Sequence, residues 1–264
     1  MVLNLTKLNP VFTLDEAVQA FESRKARSEV AAYLKYHLKT GTLKRITREI
    51  YATVPAGIDP DHFTPDVFLI INAVRPDSLI AHHGALELLG VAHSVWNDYS
   101  AWTQIRRKNL ATGIANIRFI SDPHPAWTPK NRLIGTQKVE RQGRLIRVTG
   151  PERTLVEGFR RPVLVGGIEE LLQSAGGFPI LDLELLESIL RIYDMRRIWA
   201  AVGWFLEARQ QDFFVPNDFL EQCSRHKPKR PLYLVRDQQG GSLSRRWNLI
   251  IPDSMDVGVA INGN

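Results

Sequence analysis

The side chains able to do chemistry are few and scattered. His82 and His83 are adjacent at the start of a helical pattern. On a helix they would point about 100° apart, so they cannot grip one metal without help from elsewhere. The plain reading is two polar residues opening a helix. His62, His93 and His124 are dispersed, and neither Cys-x-x-Cys nor His-Glu-x-x-His spacing occurs. Cys223 is the single cysteine. With no base near it in sequence it reads as inert, and it excludes an internal disulfide framework. The run beginning Gly240-Gly-Ser opens like the Gly-Ser signature of nucleotidyltransferases. Arg245, Arg246 and Trp247 follow where metal-binding acids are needed, and a dicarboxylate site cannot be built from them. Glu169-Glu170 lies in a helix pattern that reads as a solvated face. No catalytic residue, cofactor or metal is expected.

Cations are a different matter. Arg24, Lys25, Arg27, Lys35, Lys39, Lys44, Arg45 and Arg48 crowd one stretch, opposed nearby only by Glu22, Glu29 and Glu49. Such a patch suits a polyanion. The net charge of +6 and a pI near 9.5 favour the same class of partner.

The elements that must carry those cations are legible. From Ser28 the chain reads as a helix with Val30, Leu34 and Leu38 on one side. Ser28, Ala32, Lys35, Tyr36 and Lys39 gather on the other. Gly41 stops the helix as a left-handed cap. Leu43–Ile46 and Ile50–Val54 then form a hairpin around Thr47-Arg48-Glu49. Thr13-Leu-Asp-Glu16 is a capping box that starts a preceding helix, with residues 23–26 as the turn between the two. A recognition helix followed by a hairpin is how winged-helix proteins hold DNA. The residues expected to face DNA are Lys25, Arg27, Ser28, Lys35, Tyr36, Lys39, Lys44, Arg45 and Arg48. Only residues 2–8 precede Pro10, so the usual first helix is barely represented.

Pro55-Ala-Gly-Ile-Asp-Pro60 is a composition break and the expected domain boundary, giving a DNA-binding domain over 1–57 and a second domain over 58–264. The fold class expected is α+β. The larger domain is mixed α/β over 58–148, mainly helical over 149–224, and closed by strands over 225–252, with a loose tail over 253–264. Thr64-Pro65-Asp66 starts a helix, with Thr64 as N-cap, running to about Val74. Leu79–Ala81 is a buried strand, and residues 82–89 a helix closed by Gly90. Residues 96–120 are β-like, and a hairpin turns at Gln142-Gly143. Thr149-Gly-Pro-Glu152 caps a helical block carrying Glu152, Glu157, Glu169, Glu170, Asp182, Glu184, Glu187 and Asp194. Two further basic clusters, Arg106, Arg107 and Lys108, and Arg225, Lys227, Lys229 and Arg230, offer an additional nucleic-acid or partner surface. The acidic block could instead meet a basic protein.

Five motifs in order, GTLKRITREIYATV, PDSLIAHHGALELLGVAHSV, RLIRVTGPERTLVEGF, VGGIEELLQSAGG and PLYLVRDQQGGSLSRRWNLIIP, cover most of the chain. By them the chain resembles the AbiEi-type antitoxins of bacterial abortive-infection toxin–antitoxin systems. Glu49 departs from that pattern, which more often has glycine there. The resemblance implies an N-terminal winged helix that binds inverted repeats in the operon's own promoter. It implies a C-terminal domain that counteracts a nucleotidyltransferase-like toxin, in phage defence. Two other readings stand beside it. One is a one-component regulator whose C-terminal domain senses a small molecule, marked by a sizeable apolar pocket. The other is a DNA-acting enzyme, marked by clustered carboxylates with a lysine. The first ten residues lack a secretion signal, and the longest apolar run, Val67–Ile71, is too short to span a bilayer. No membrane partner is expected, and a cytoplasmic setting is.

Overall fold

The computed structural model describes residues 10–21, 26–104, 108–113, 115–121, 128–129, 131–236 and 240–256. The chain divides into two units. Unit 1 takes in Met1–Ile80, Ala101–Ser121 and Lys138–Arg147, and unit 2 takes in Ala81–Ser100, Asp122–Gln137 and Val148–Asn264. The architecture is α+β, and both units are discontinuous in sequence.

Unit 1 begins with β1 (Val11–Thr13), α1 (Leu14–Ala20), α2 (Arg27–Lys39), β2 (Leu43–Thr47) and β3 (Ile50–Thr53). The capping box forms as the sequence predicts: Glu16 N donates to Thr13 Oγ1 at 3.1 Å, and Thr13 N donates to Glu16 Oε2 at 2.7 Å. β1, a strand the sequence reading lacks, pairs antiparallel with β3, and β2 pairs with β3 on the other side. Gly41 has a φ of +74°, and a Cβ there would lie 2.8 Å from Pro60 Cγ. Glycine thus both ends the helix and lets the chain come back close. Phe12, Leu14, Ala17, Phe21, Val30, Leu34, Leu43 and Tyr51 make the core. Each such large apolar side chain stabilises the fold by roughly 1.5–3 kcal/mol.

The composition break at Pro55–Pro60 does not close this unit, which corrects the expected boundary after residue 57. Helix α3 (Val67–Val74) packs on β1 and β3. Its N-cap is Asp66 rather than Thr64: Asp66 Oδ1 accepts from Phe68 N at 2.9 Å and Leu69 N at 3.1 Å. The second oxygen of Asp66 takes Arg141 Nε at 2.6 Å. Glu16 divides its oxygens in the same way. Oε2 serves the capping box while Oε1 pairs with Arg144 Nη2, and Arg144 Nη1 donates to Asn72 Oδ1 at 3.0 Å. Two helix-capping carboxylates therefore also anchor two arginines from far along the chain.

β4 (Leu79–Ala81), β5 (Asp98–Thr103), β6 (Leu110–Ala111), β7 (Asn116–Ser121), β8 (Thr136–Arg141) and β9 (Arg144–Thr149) form one sheet in the order β6-β7-β5-β4-β9-β8. The bounds of the two units fall within β4, β5, β8 and β9. Gln142 and Gly143, with φ of 50° and 82°, make the tight turn between β8 and β9.

Unit 2 holds α4 (His83–Leu88), α5 (Pro151–Arg160), a 3₁₀ turn (Pro162–Val165), α6 (Ile168–Gly176), α7 (Leu183–Tyr193), α8 (Arg196–Ala208) and α9 (Asn217–Arg225). A small sheet follows, of β10 (Leu232–Tyr233), β11 (Ser242–Ser244) and β12 (Leu249–Ile251), with β12 central. Helix α10 (Asp253–Asp256) takes the first four residues of the segment read as a loose tail. Helix α5 sits at the centre. Every residue from Glu152 to Phe159 is buried, and Gly158 lies where a Cβ would come within 2.4 Å of Leu171 Cδ1. Its cap is Gly150 with Pro151 next, not the Thr149–Glu152 box. Thr149 Oγ1 instead bonds Thr154 Oγ1 at 2.7 Å, and Glu152 Oε1 accepts from Asp182 N at 2.8 Å. Gly203 of α8 likewise makes room for the fully buried Trp247, whose Cζ3 would be 2.2 Å from a Cβ.

Candidate nucleic-acid interface

Helix α2 has two faces with different work. Val30 and Leu34 are fully buried, and Ala31, Tyr33 and Leu38 pack against the same core. Ser28, Ala32, Lys35, Tyr36 and Lys39 are all exposed, at spacings of three and four that put them on one stripe. Tyr36 is 62% exposed, unusual for an aromatic, and its ring meets that of His37 edge-on at 5.3 Å. The hydrogen bond between His37 Nδ1 and Thr42 Oγ1, 2.7 Å, ties the last turn to the start of the hairpin. Glu29 Oε2 accepts from Ala26 N at 2.8 Å and steadies the first turn.

The cations expected to face DNA are not equivalent. Lys35, Lys39, Arg45 and Arg48 are exposed, and none has an ion pair among the described residues. Arg45 reaches over the ring of Tyr51, 5.9 Å from its centroid. Lys44 is already engaged, its ammonium donating to Phe63 O at 2.8 Å and to Asp61 O at 3.4 Å. Arg27 is engaged too: Nη1 pairs with Asp15 Oδ1, and Nη2 with Glu49 Oε1 at 3.0 Å. These two carboxylates, Glu49 foremost, raise the pKa of its guanidinium. Lys25 lies outside the described residues, as do Arg106 and Arg107.

In unit 2 the second basic cluster is also mixed. Arg225, Lys229 and Arg230 are exposed, as is Lys108 in unit 1. Lys227 Nζ donates to Arg246 O at 2.6 Å, so it holds the turn before β12. Arg246 and Trp247, standing where a nucleotidyltransferase would place acids, share Glu207: Arg246 Nη1 pairs with Oε1, and Trp247 Nε1 donates to Oε2 at 2.5 Å.

The acidic block is not one face. Glu152, Glu157 and Glu170 are buried, which takes those three out of the partner-facing reading and corrects the solvated reading for Glu170, while Glu169, Asp182, Glu184 and Asp194 are exposed. Glu157 Oε1 receives Arg153 Nε at 2.7 Å and Tyr193 OH at 2.8 Å. Arg153 also donates to Arg132 O at 2.5 Å and Ile134 O at 3.2 Å. Glu170 Oε1 accepts from Ser174 Oγ at 2.7 Å, His93 N at 3.1 Å and Ser94 N at 3.2 Å. These bonds and the neighbouring serine keep its pKa low against the opposing effect of burial.

His82 and His83 do open a helix, but inside the core. His82 is fully buried at φ 56° and ψ −130°, with Nδ1 2.8 Å from Ser100 Oγ. Burial pushes its pKa down to about 4, Glu157 opposing and the neighbouring arginines assisting. Burial lowers His83 as well, with Glu170 pulling the other way. Cys223 is buried and its thiol is pushed up to about 12, an unreactive state. Among the described residues no group of three or more His, Cys, Asp and Glu is placed to hold a metal ion. No helix among them is long and apolar enough to cross a membrane.

No protein-family model matches the chain, and no curated protein matches it. In fold the chain is similar to the crystal structure of the RV2827C protein from Mycobacterium tuberculosis. The TM-score is 0.64 at 14% identity, over 91% of this chain and 86% of that one. At that identity the likeness concerns the α+β fold alone.

Proposed function

We propose that the protein is a DNA-binding antitoxin. An N-terminal winged helix-turn-helix would bind inverted repeats in its own operon and repress it, while the C-terminal region counteracts a nucleotidyltransferase-like toxin. One observation carries the DNA half. The exposed face of α2 holds Ser28, Lys35, Tyr36 and Lys39 with neither lysine neutralised, opposite a fully buried Val30 and Leu34. Arg45 and Arg48 add free charge from the hairpin that follows. A helix with base-reading side chains beside a cationic hairpin fits duplex DNA, where phosphate contacts position and groove contacts specify. The antitoxin half rests on the five motifs that resemble the AbiEi-type family.

Operator affinity measured across a salt series tests the DNA half. Each phosphate contact removed flattens the dependence of log K on log salt by about 0.9. Arg48→Ala is expected to flatten it by about one contact, and Lys35→Ala/Lys39→Ala by about two. Affinity and slope unchanged in both variants would exclude α2 and the hairpin as the DNA surface. Rescue of growth on co-expression with the neighbouring gene tests the antitoxin half, and no rescue by wild type excludes it.

A further inference from the structure

The hairpin turn carries its own contradiction. Arg48, a free cation, is followed by Glu49, a carboxylate that would repel the phosphate Arg48 approaches. Glu49 also holds a φ of 63°, the left-handed region that favours glycine. A glutamate in that position is explained by its partners. Its carbonyl accepts from Leu14 N at 2.8 Å, tying the turn's backbone to the start of α1. Its carboxylate meets Arg27 Nη2 at 3.0 Å, and Arg27 Nη1 meets Asp15 of α1's first turn. One guanidinium at the first residue of α2 thus joins α1, α2 and the hairpin turn. A planar fork with two donor edges can do this, and a lysine ammonium cannot in the same way.

We infer that Arg27 is a positioning residue for DNA binding rather than a phosphate contact: it fixes the 47–49 turn against α1 and α2 and cancels the charge of Glu49 beside Arg48. This rests on the DNA-binding reading above and assigns Arg27 a different task within it. Without Arg27, two carboxylates stand uncompensated at the edge of the surface, within a Debye length of an approaching phosphate. Of these ties to α1 and α2 the turn then keeps the backbone bond from Leu14 N, beside the strand pairing that closes the hairpin.

Two measurements on the full chain decide it, with wild type, Arg27→Ala, Arg27→Lys and Arg27→Ala/Glu49→Gln. The first is amide hydrogen exchange without DNA, read at Leu14 and through residues 47–50. The second is binding to double-stranded DNA of random sequence over a salt series. Arg27→Ala is expected to speed exchange at Leu14 and the turn and to weaken binding about fivefold. Arg27→Lys is expected to fall between Arg27→Ala and wild type in both. Arg27→Ala/Glu49→Gln should regain most of the affinity while exchange stays fast, because the charge is relieved and the tether is not. Unchanged exchange in Arg27→Ala, or an affinity loss that Glu49→Gln leaves untouched, overturns the inference. Wild type that binds this DNA without salt dependence overturns the DNA reading instead. The exchange result in the free protein still decides whether Arg27 holds the turn.

Discussion

Helices α2 and α5 use charge in opposite ways. Lys35 and Lys39 of α2 stand in solvent on one stripe while apolar residues on the other side hold the helix to its core. Helix α5 has no solvent face from Glu152 to Phe159, and it buries Glu152, Arg153 and Glu157 with their partners supplied by the fold. A charge left in water is available to a polyanion and contributes little to stability. A charge taken out of water demands its partner and becomes part of the architecture. Charge composition alone does not distinguish the two; burial does.

The largest effect should come from breaking the buried pair. Arg153→Ala takes the ion pair from Glu157, which is 1% exposed, and leaves it the hydroxyl of Tyr193; breaking a buried pair costs about 3–5 kcal/mol. Urea unfolding of the full chain reads it, and a loss under about 1 kcal/mol would mean that the pair is not desolvated as described. Acid should act on the same unit. His82 titrates near 4 when folded and near 6.5 otherwise, so between those values the unfolded chain binds the extra proton. Stability is full above about pH 6.5 and falls as pH drops toward 4, by about 3 kcal/mol at most. His83 adds in the same direction. His82→Asn should flatten part of that slope in a series of melts, and an unaltered slope would remove His82 as its source.

Gly203→Ala comes next. A methyl group 2.2 Å from Trp247 Cζ3 cannot be accommodated without movement, and overpacking of this kind costs about 1–3 kcal/mol. Calorimetry reads it, with a shift of Trp247 fluorescence as the local signature. At the far end of the scale, Lys35→Ala/Lys39→Ala should leave the melt within about 0.5 kcal/mol of wild type. Under the proposed function its effect falls on DNA binding. A large fall in melting temperature for that pair would break the contrast between the two helices.

What the sequence makes legible follows the same line. Thr13 and Glu16, the apolar face of α2, Gly41 and the Gln142-Gly143 turn are local patterns, and the structure has them where the periodicity puts them. The partners of Arg27, Lys44 and Arg144 are not local: Glu16 and Arg144 are 128 residues apart. No periodicity encodes such a pair. Asp66 was within reach, since in Thr64-Pro65-Asp66 only the aspartate can bond the amides of both Phe68 and Leu69. The burial of His82, Glu157 and Glu170 gives no signal in a window where polar residues alternate with apolar ones at ordinary helical spacing. The exposed stripe of α2 is legible because it is defined by what the helix buries. The tethering of Arg27 is not, because a cation in a list has no visible partner.

The discontinuity of unit 1 has a consequence for how the chain is made. Roughly 90 residues must be added after Thr53 before Arg141 and Arg144 exist to meet Asp66 and Glu16. At about 5–20 residues per second that is on the order of ten seconds on the ribosome. Through that interval the capping carboxylates of α1 and α3 lack their arginines. Nascent chains arrested before residue 138 should therefore be cut more readily by protease within residues 10–80 than chains arrested well beyond Arg147. Equal protection at both lengths would mean that the first 80 residues finish folding without them.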